Sequence, residues 1–279
     1  MRCDLHTHSF HSDGILAPAE VVAHALEGGV ELLALTDHDV TDGLDEARAA
    51  AEAAGIRFLP GVEISTTWEG MTIHIVGLGI DPASTILQAG LKRLRDIRHE
   101  RAAEIDRRLA KHRIPGTLAG AAALARGAIV SRTHFARYLL SQGYVTGIGQ
   151  AFRRYLGRGC PGHTPTVWVP IEEAIGWIRA ASGVAVLAHP ARYKLSSGKR
   201  RKLLAEFKAG GGHAIEVVSG AHSPDEARRF AQFAQEFGLE ASLGSDYHGP
   251  FESGGSWTRP GCLAPLPPEC TPVWHRWAA

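Results

Sequence analysis

Side chains that can bind a metal ion through nitrogen or oxygen recur along the whole chain. They are His6-Thr7-His8, Asp37-His38, Glu63, His74, His189, Glu216 and Asp246-Tyr247-His248. Imidazole and carboxylate ligands without thiolates are typical of sites for Mn, Zn or Fe. Two histidines separated by one residue on an extended segment place their rings on the same side. Several carboxylates would allow one of them to bridge two ions, and paired ions can activate water and hold a phosphoryl group.

Each of these residues also has a simpler explanation. A lone His-x-His motif is weak evidence for a metal site. Asp37 could cap a turn, and Asp13 stands before Gly14 in an Asp-Gly turn. Glu63 could be a satisfied carboxylate at the end of a strand, and His74 could be a core histidine bonded to the backbone. The shared placement of the whole set at successive strand ends favours a functional site over these separate explanations.

The elements that would position these residues alternate between strands and helices. Strands are predicted over residues 2–5, 31–36, 58–64, 71–78, 184–188, 214–218 and 239–243. Helices are predicted over residues 17–26, 43–54, 171–181, 199–208 and 224–237, and the tail from residue 248 is expected to be irregular. This alternation predicts an α/β fold with a mainly parallel sheet covered by helices. The C-terminal ends of parallel strands lie on one face, so we expect the polar residues to converge there.

The alternation stops between about residues 90 and 165. Helices are predicted over residues 88–112, 118–125, 134–141 and 149–156, without a strand. Residues 92–158 carry 15 Lys/Arg and 4 Asp/Glu, a net charge of +11, whereas the rest of the chain has a net charge of −10. We therefore predict a metal-binding barrel from residues 1–90 and 165–279, and a basic helical insertion over residues 91–164 that forms a lid and holds an anionic ligand.

The composition is that of an ordinary globular protein. Of the 279 residues, 44% are hydrophobic and 21% are charged, which excludes a disordered or collagen-like chain. The apolar runs fall short of the roughly 18–20 residues that span a bilayer, so no membrane association is expected. Four cysteines without CxxC spacing favour a reduced, cytoplasmic protein. No obligate protein partner is predicted.

The motifs that carry these residues resemble those of the PHP (polymerase and histidinol phosphatase) family of metal-dependent phosphoesterases. The matching segments are Asp4-Leu5-His6-Thr7-His8, Ser12-Asp13-Gly14, Leu35-Thr36-Asp37-His38-Asp39, Gly61-Val62-Glu63, Ala188-His189-Pro190 and Gly244-Ser245-Asp246-Tyr247-His248. The resemblance implies a distorted, TIM-like (β/α)7 barrel with two or three divalent ions, Mn²⁺ foremost and Mg²⁺, Fe²⁺ or Zn²⁺ as alternatives. It assigns the ligands in three sets: His6, His8, Glu63 and Asp246; Glu63, His74 and His189; and Asp13, His38 and His248.

A narrower resemblance includes the helical insertion. The segments Ser131-Arg132-Thr133-His134-Phe135-Ala136-Arg137, Ala188-His189-Pro190-Ala191-Arg192-Tyr193 and Ile215-Glu216-Val217-Val218 are similar to those of one bacterial branch of the family. Members of that branch remove the 3′-phosphate from 3′,5′-nucleotide bisphosphates, and close relatives act as 5′–3′ exoribonucleases on short RNA. The resemblance therefore implies a nucleotide or short RNA with a 5′-phosphate as the substrate.

The insertion is expected to bind the second phosphate of such a substrate. Ser131 would cap a helix beginning near Thr133, and a capped helix N-terminus attracts anions. Arg132 and His134 would add charge-assisted hydrogen bonds to that phosphate. The simpler explanation of Arg132 is an exposed arginine without a special role.

Further residues are expected to act on the reacting phosphate. Arg192 and Lys194, which follow the ligand His189, would neutralise the transferred phosphoryl group. The narrower resemblance also assigns His222 to substrate binding. Asp246 or His248 would handle the proton, and the sequence does not choose between them.

Two other functions stay open at this stage. The same site could hydrolyse histidinol phosphate or another small phosphomonoester, although such a substrate does not need a basic lid. The chain could also be a non-catalytic scaffold that binds nucleic acid, although the nearly complete ligand set argues against it.

Overall fold

The computed structural model describes residues 1–250 and 259–277. Its strands are β1 (Cys3–Asp4), β2 (Leu32–Leu35), β3 (Arg57–Trp68), β4 (Met71–Leu78), β5 (Val169–Pro170), β6 (Val184–Leu187), β7 (Ala214–Ser219) and β8 (Glu240–Gly244). Its α-helices are α1 (Pro18–Glu27), α2 (Leu44–Ala54), α3 (Thr85–Lys111), α4 (Thr117–Leu124), α5 (Arg132–Ser141), α6 (Ile148–Ala151), α7 (Ile171–Ala180), α8 (Ser197–Ala209) and α9 (Pro224–Glu236). A π-helical turn over Phe152–Leu156 continues α6, and 3₁₀ turns cover Pro190–Arg192 and Val273–Trp277.

Seven of these strands form a nearly closed barrel in the order β1-β2-β3-β4-β6-β7-β8. The first and last strands meet through the bond from Leu5 N to Leu243 O, at 3.1 Å, and a parallel bridge between Thr7 and Tyr247. The predicted (β/α)7 architecture is thereby confirmed. The sheet is mainly parallel as expected, and the exception is β4, which runs antiparallel to both β3 and β6.

The antiparallel strand follows from a tight reversal. Glu69 and Gly70, between β3 and β4, both have positive φ, so the chain turns back at once without a crossover helix. The long β3 extends beyond the barrel, where its outer half pairs with the short β5, which was not predicted. In this arrangement His74 on β4 lies opposite Ser65 on β3, two residues after Glu63.

The helices begin and end where local chemistry favours it. Pro18 occupies the first turn of α1, and Gly55 ends α2 in the left-handed conformation at φ 70°. Ser196 and Ser223 cap α8 and α9 with their side chains. The apolar faces of the barrel helices pack on a core formed by the strands.

The helical segment between β4 and β5 has a hydrophobic core of its own. This second core runs from Ala102 to Leu156 and includes Ile105, Leu109 and Phe135. The first half of α3 belongs to the barrel instead, since Leu87, Leu91 and Leu94 pack into the barrel core. A single helix of 27 residues thus joins the two cores rigidly. The division into a barrel and a lid at residues 91 and 164 stays a prediction.

None of the helices in the described ranges is long and apolar enough to span a membrane. The predicted irregular tail is partly described. Residues 259–272 contain turns and one bridge from Pro272 to Ala241, and Trp274 packs on the barrel core. The portion over residues 251–258 lies outside the described residues.

Candidate metal centre

One end of the barrel brings all nine predicted ligands into one cluster, most of which is buried. His6 and His8 follow β1, His38 follows β2, and His189 follows β6. Glu63 lies within β3 and His74 within β4, and Asp246 and His248 follow β8. Three sets of ligand atoms each lie within 4.8 Å of one another: His6, His8, Glu63 and Asp246; His8, Asp13, His38 and His248; and His38, Glu63 and His74.

These sets differ from the predicted ones in two respects. His8 belongs to two of them, and His38 takes the place beside Glu63 and His74 that the resemblance gave to His189. His189 nevertheless lies close, because its Nε2 is 2.9 Å from Glu63 Oε1. The structure thus brings the whole predicted set together, and the assignment of each residue to a particular ion stays a prediction.

Glu63 is the centre of the cluster. Its side chain is fully buried, and Oε1 lies 2.8 Å from His74 Nδ1. Oε2 lies 2.9 Å from His38 Nδ1 and 3.2 Å from His6 Nε2. Although burial alone would raise it, the surrounding histidines hold the pKa of Glu63 well below its usual range. The carboxylate is therefore ionised and offers both oxygens as ligands.

The geometry of the cluster fits divalent cations better than it fits internal hydrogen bonds. Glu63 Oε2 and His38 Nδ1 are buried and 2.9 Å apart, yet neither makes a hydrogen bond of acceptable geometry within the described residues. Asp13 Oδ1 is likewise buried without a hydrogen bond. His6 Nε2 and His8 Nε2 face each other at 3.0 Å. Buried polar atoms that lack hydrogen bonds and point to a common space are typical of metal ligands.

Asp37 supports the cluster without belonging to it. Its Oδ1 accepts hydrogen bonds from Ser9 N and Ser12 Oγ, and its Oδ2 accepts one from Ser9 Oγ. The turn-capping explanation weighed for Asp37 therefore describes what it does. It fixes the loop between His8 and Asp13, and so sets the separation of two candidate ligands.

Arg192 is a partly exposed cation in direct contact with a candidate ligand at the edge of the site. Its guanidinium forms an ion pair with Asp246 Oδ2, while about half of the side chain stays exposed. Tyr193 is buried, and its hydroxyl accepts a hydrogen bond from His74 N at 2.9 Å. Lys194 is exposed. The structure thus places Arg192, and not Lys194, in contact with the cluster.

His222 lies behind Arg192, in the loop after β7. Its Nδ1 donates to Val217 O at 3.0 Å, and its ring stacks on Phe230. Burial lowers the pKa of His222, which favours the neutral ring. Since its Nε2 is also buried, the predicted contact with substrate would require a rearrangement of this loop.

The helical segment contacts the candidate centre through Asp13. Ser131 Oγ donates to Asp13 Oδ2 at 3.3 Å, and Thr133 Oγ1 donates to the same oxygen at 2.9 Å. Ser131 caps α5 as predicted, by accepting a hydrogen bond from Thr133 N. A carboxylate of the protein therefore already lies at the helix N-terminus where a substrate phosphate was expected.

His134 does not lie where the sequence analysis placed it. Its side chain is buried, its Nδ1 accepts a hydrogen bond from Ser131 N at 3.0 Å, and it is not among the residues that line the adjoining cavity. Burial, against the opposing effect of nearby Asp13, lowers the pKa of His134 to about 4. A neutral, engaged imidazole cannot make the charge-assisted bond to phosphate that we expected, so His134 is a capping residue here.

This environment makes a prediction about acid stability. Between about pH 6.5 and pH 4 the unfolded chain binds a proton at residue 134 that the folded chain excludes, so His134 should destabilise the fold progressively as the pH falls. The His134→Asn variant keeps an acceptor at this position and removes the titration. Urea unfolding of metal-free protein should show a smaller stability loss between pH 7.5 and 4.5, by up to about 3 kcal/mol. The exposed His112→Asn should behave as wild type, and equal slopes in all three proteins would contradict the prediction.

A cavity beside the cluster is lined both by candidate ligands and by arginines. The lining includes Asp13, His38 and His74 together with Arg98, Arg101 and Arg132, and two aromatic rings. The neighbouring aromatic rings are those of Phe152 and Trp168. A larger cavity lies elsewhere, between Met1–Cys3 and Leu263–Leu266, and no group of metal ligands lines it in the described part of the chain. Of these two cavities, the smaller one is lined by candidate metal ligands.

Arg98 and Arg101 are residues that the sequence analysis did not select. Arg98 donates hydrogen bonds to Asp39 Oδ2 and Ser65 Oγ. The bond to Asp39 connects α3 to the loop that carries His38. Arg101 has no carboxylate partner in the described part of the chain. Burial and the nearby Arg132 and Arg98 lower the pKa of Arg101 to about 8. The three neighbouring arginines that line this cavity favour the binding of an anion there.

A seven-stranded α/β barrel with His, Asp and Glu groups at its C-terminal strand ends has the architecture of metal-dependent hydrolases. A family model described as "PHP domain" matches residues 4–157, and the chain belongs to this family.

Several curated relatives match nearly the whole chain. A 3′,5′-nucleoside bisphosphate phosphatase from Chromobacterium violaceum is 48% identical over 98% of this chain and 95% of its own length. A 5′-3′ exoribonuclease from Haemophilus influenzae is 44% identical over 98% of each chain. A solved structure of an amidohydrolase from Chromobacterium violaceum, with bound sulfate and no metal, has a TM-score of 0.93 and 46% identity, covering 99% of this chain and 95% of that one. These relatives confirm the predicted branch of the family.

Proposed function

We propose that this chain is a metal-dependent phosphatase that removes the 3′-phosphate from 3′,5′-nucleotide bisphosphates, and that it trims short 5′-phosphorylated RNA from the 5′ end by hydrolysing phosphodiester bonds at the same site. The names of the C. violaceum and H. influenzae relatives support both activities. The observation that carries the proposal is the cavity between the candidate metal centre and the arginines of the helical segment. One phosphate would lie at the ligands while the other lies at the arginines.

The charges of the cavity support a substrate with two phosphates. Arg98 is neutralised by Asp39, whereas Arg101 and Arg132 make no ion pair in the described ranges. A charge-assisted hydrogen bond contributes roughly 1.5–3 kcal/mol, so two such arginines would distinguish a bisphosphate from a monophosphate strongly. Histidinol phosphate has only one phosphate and would leave the arginines unsatisfied.

The nine clustered His, Asp and Glu side chains would hold two or three divalent ions, with Mn²⁺ as the ion proposed. Ions bound there would supply Lewis-acid activation of water and of the phosphoryl group. Arg192, ion-paired with Asp246 at the open edge, would stabilise the negative charge that develops on the phosphoryl oxygens.

The two candidates for proton transfer, Asp246 and His248, have different contacts. His248 donates its Nδ1 proton to the backbone oxygen of Asp246 at 2.9 Å, and its Nε2 lies 3.2 Å from Asp13 Oδ1. This leaves His248 Nε2 for ligation. Asp246 Oδ1 lies 3.1 Å from His8 Nε2, whereas the buried Oδ2 pairs with the partly exposed Arg192. Oδ2 is therefore the atom we propose for receiving a proton from water.

Phosphate release from adenosine 3′,5′-bisphosphate tests the proposed function, with 3′-AMP, 5′-AMP and histidinol phosphate as comparisons in the same Mn²⁺ buffer. We expect kcat/KM for the bisphosphate to exceed that for 3′-AMP by roughly 10³-fold, at about 2 kcal/mol for each of two charge-assisted contacts. Slow turnover of 5′-AMP would show that the 3′-phosphate is the one removed. Faster release from histidinol phosphate than from the bisphosphate would contradict the proposal.

A further inference from the structure

Glu216 is a buried carboxylate that contacts two candidate ligands without joining any ligand set. It lies on β7 with 1% of its surface exposed. Its Oε1 lies 2.6 Å from His6 Nδ1, and its Oε2 accepts a hydrogen bond from the backbone N–H of His189 at 2.6 Å. One side chain thereby connects the loops after β1 and β6.

The contact with His6 determines which ring nitrogen can bind a cation. An ionised carboxylate only accepts hydrogen bonds. His6 Nδ1 is therefore protonated and donates the hydrogen bond to Glu216 Oε1. The opposite nitrogen, Nε2, lies 3.2 Å from Glu63 Oε2 and 3.4 Å from Asp246 Oδ1. With Nδ1 protonated in the neutral ring, Nε2 presents a lone pair to the centre of the cluster, as a metal ligand requires.

The contact with His189 supports an unusual backbone conformation. His189 has a φ of 30°, in the left-handed region that non-glycine residues rarely adopt. The hydrogen bond from its N–H to Glu216 lies directly at this turn. The turn directs the ring toward the cluster, where His189 Nε2 lies 2.9 Å from Glu63 Oε1.

We infer that Glu216 is a positioning residue of the metal centre: one oxygen fixes the tautomer of His6 and the other holds the turn that carries His189. The inference rests on the proposed metal-dependent function, and it adds a residue that does not itself contact an ion. Partners of this kind commonly change metal affinity by about 10- to 100-fold when they are removed.

A glutamine at this position cannot serve both contacts, although it has the same shape. An amide has one accepting oxygen and one donating nitrogen. If the oxygen faces His6, the NH₂ group opposes the N–H of His189. If the oxygen faces His189, the NH₂ group requires an accepting Nδ1 on His6, which moves the proton to Nε2. Glu216→Gln must therefore disturb one ligand or the other at nearly constant volume.

Metal affinity measured without substrate tests the inference. Mn²⁺ would be titrated into metal-free wild type, Glu216→Gln and Ser219→Ala in competition with a chelating dye. Ser219 is a buried residue of the same strand whose hydroxyl makes no hydrogen bond to the described residues, so its variant controls for a general disturbance of β7. We expect Glu216→Gln to bind Mn²⁺ about 10- to 100-fold more weakly and Ser219→Ala to bind like wild type. Equal affinity in all three proteins, or equal losses in the two variants, would overturn the inference.

The tautomer of His6 gives a second and independent readout. In ¹⁵N spectra of wild-type protein loaded with Zn²⁺, we expect His6 to be protonated at Nδ1. A ring protonated at Nε2 in wild type would overturn the inference even if Glu216→Gln failed to fold. Neither readout depends on phosphate release, so inactivity on nucleotides would contradict the proposed substrate and leave the role of Glu216 standing.

Discussion

Replacing Glu63 by glutamine should abolish phosphate release while leaving the fold intact. Both oxygens of Glu63 contact candidate ligands, Oε1 with His74 and His189 and Oε2 with His38 and His6. An amide keeps the volume of the side chain but loses the charge and one of the two accepting oxygens that a bridging ligand needs. We expect kcat/KM for adenosine 3′,5′-bisphosphate to fall by roughly 10³-fold or more, because metal activation contributes several kcal/mol to such reactions.

The metal content of the purified variant separates loss of ions from loss of fold. Wild-type protein should gain thermal stability when Mn²⁺ is added, since a ligand that binds only the folded state stabilises it. Glu63→Gln should show a much smaller gain and should retain fewer ions after dialysis. Asp106→Asn alters a carboxylate that caps α4 in the helical segment. This variant should retain its metal ions and its activity. Full metal content and normal activity in Glu63→Gln would contradict a bridging role.

The ligand cluster could be predicted because its geometry follows from strand periodicity and topology. His6 and His8 follow one strand with a spacing of two, and His189 follows another, so a closed barrel brings them to one end. Their residue types were visible in the sequence. The pairing of each ligand with a particular neighbour depends on side-chain rotamers, and this is where the structure differs from the prediction at His38 and His189.

Residues that act through other residues were harder to predict from the sequence. Glu216 lies in an apolar strand and Arg98 in a charged helix, and each pattern has an ordinary explanation. Their significance depends on contacts across 210 residues, from Glu216 to His6, and across 59 residues, from Arg98 to Asp39. The sequence marked Glu216 as a possible metal ligand within an apolar strand, where an ionised group is rarely buried without a partner, but it did not show which residues Glu216 contacts.

The direction of β4 and the position of His134 were missed for local reasons. The alternation of side chains along a strand is the same whether the strand pairs in parallel or antiparallel. The hydrophobic pattern of residues 71–78 therefore predicted the strand but not its antiparallel pairing. For His134, the N3 position of a capped helix allows the side chain to turn back to the N-cap backbone, and this contact buries the ring. In both cases a turn or cap determined the outcome, and hydrophobic periodicity carried no information about it.

Removing Arg101 and Arg132 together should abolish the preference for bisphosphates. Neither guanidinium forms an ion pair in the described part of the chain, and the two line the same cavity as His38 and His74. For Arg101→Ala/Arg132→Ala we expect kcat/KM for adenosine 3′,5′-bisphosphate to fall by roughly 10³-fold, about 2 kcal/mol for each charge-assisted contact. Hydrolysis of 3′-AMP should change by less than about threefold, because that substrate has no phosphate to place there.

The stability of the same variant distinguishes this explanation from a damaged lid. Burial and the nearness of Arg132 and Arg98 lower the pKa of Arg101, which means that these cations destabilise one another when no anion is bound. Removing two of them should therefore not lower the melting temperature of the ligand-free protein, as is common where a site is shaped for function at the expense of stability. Arg107→Ala, on the outer face of α3 and paired with Glu104, is the matched arginine control and should leave both substrates unaffected. A double variant that loses activity equally on both substrates would show that Arg101 and Arg132 serve the lid's structure, and the second-phosphate site would then have to lie elsewhere.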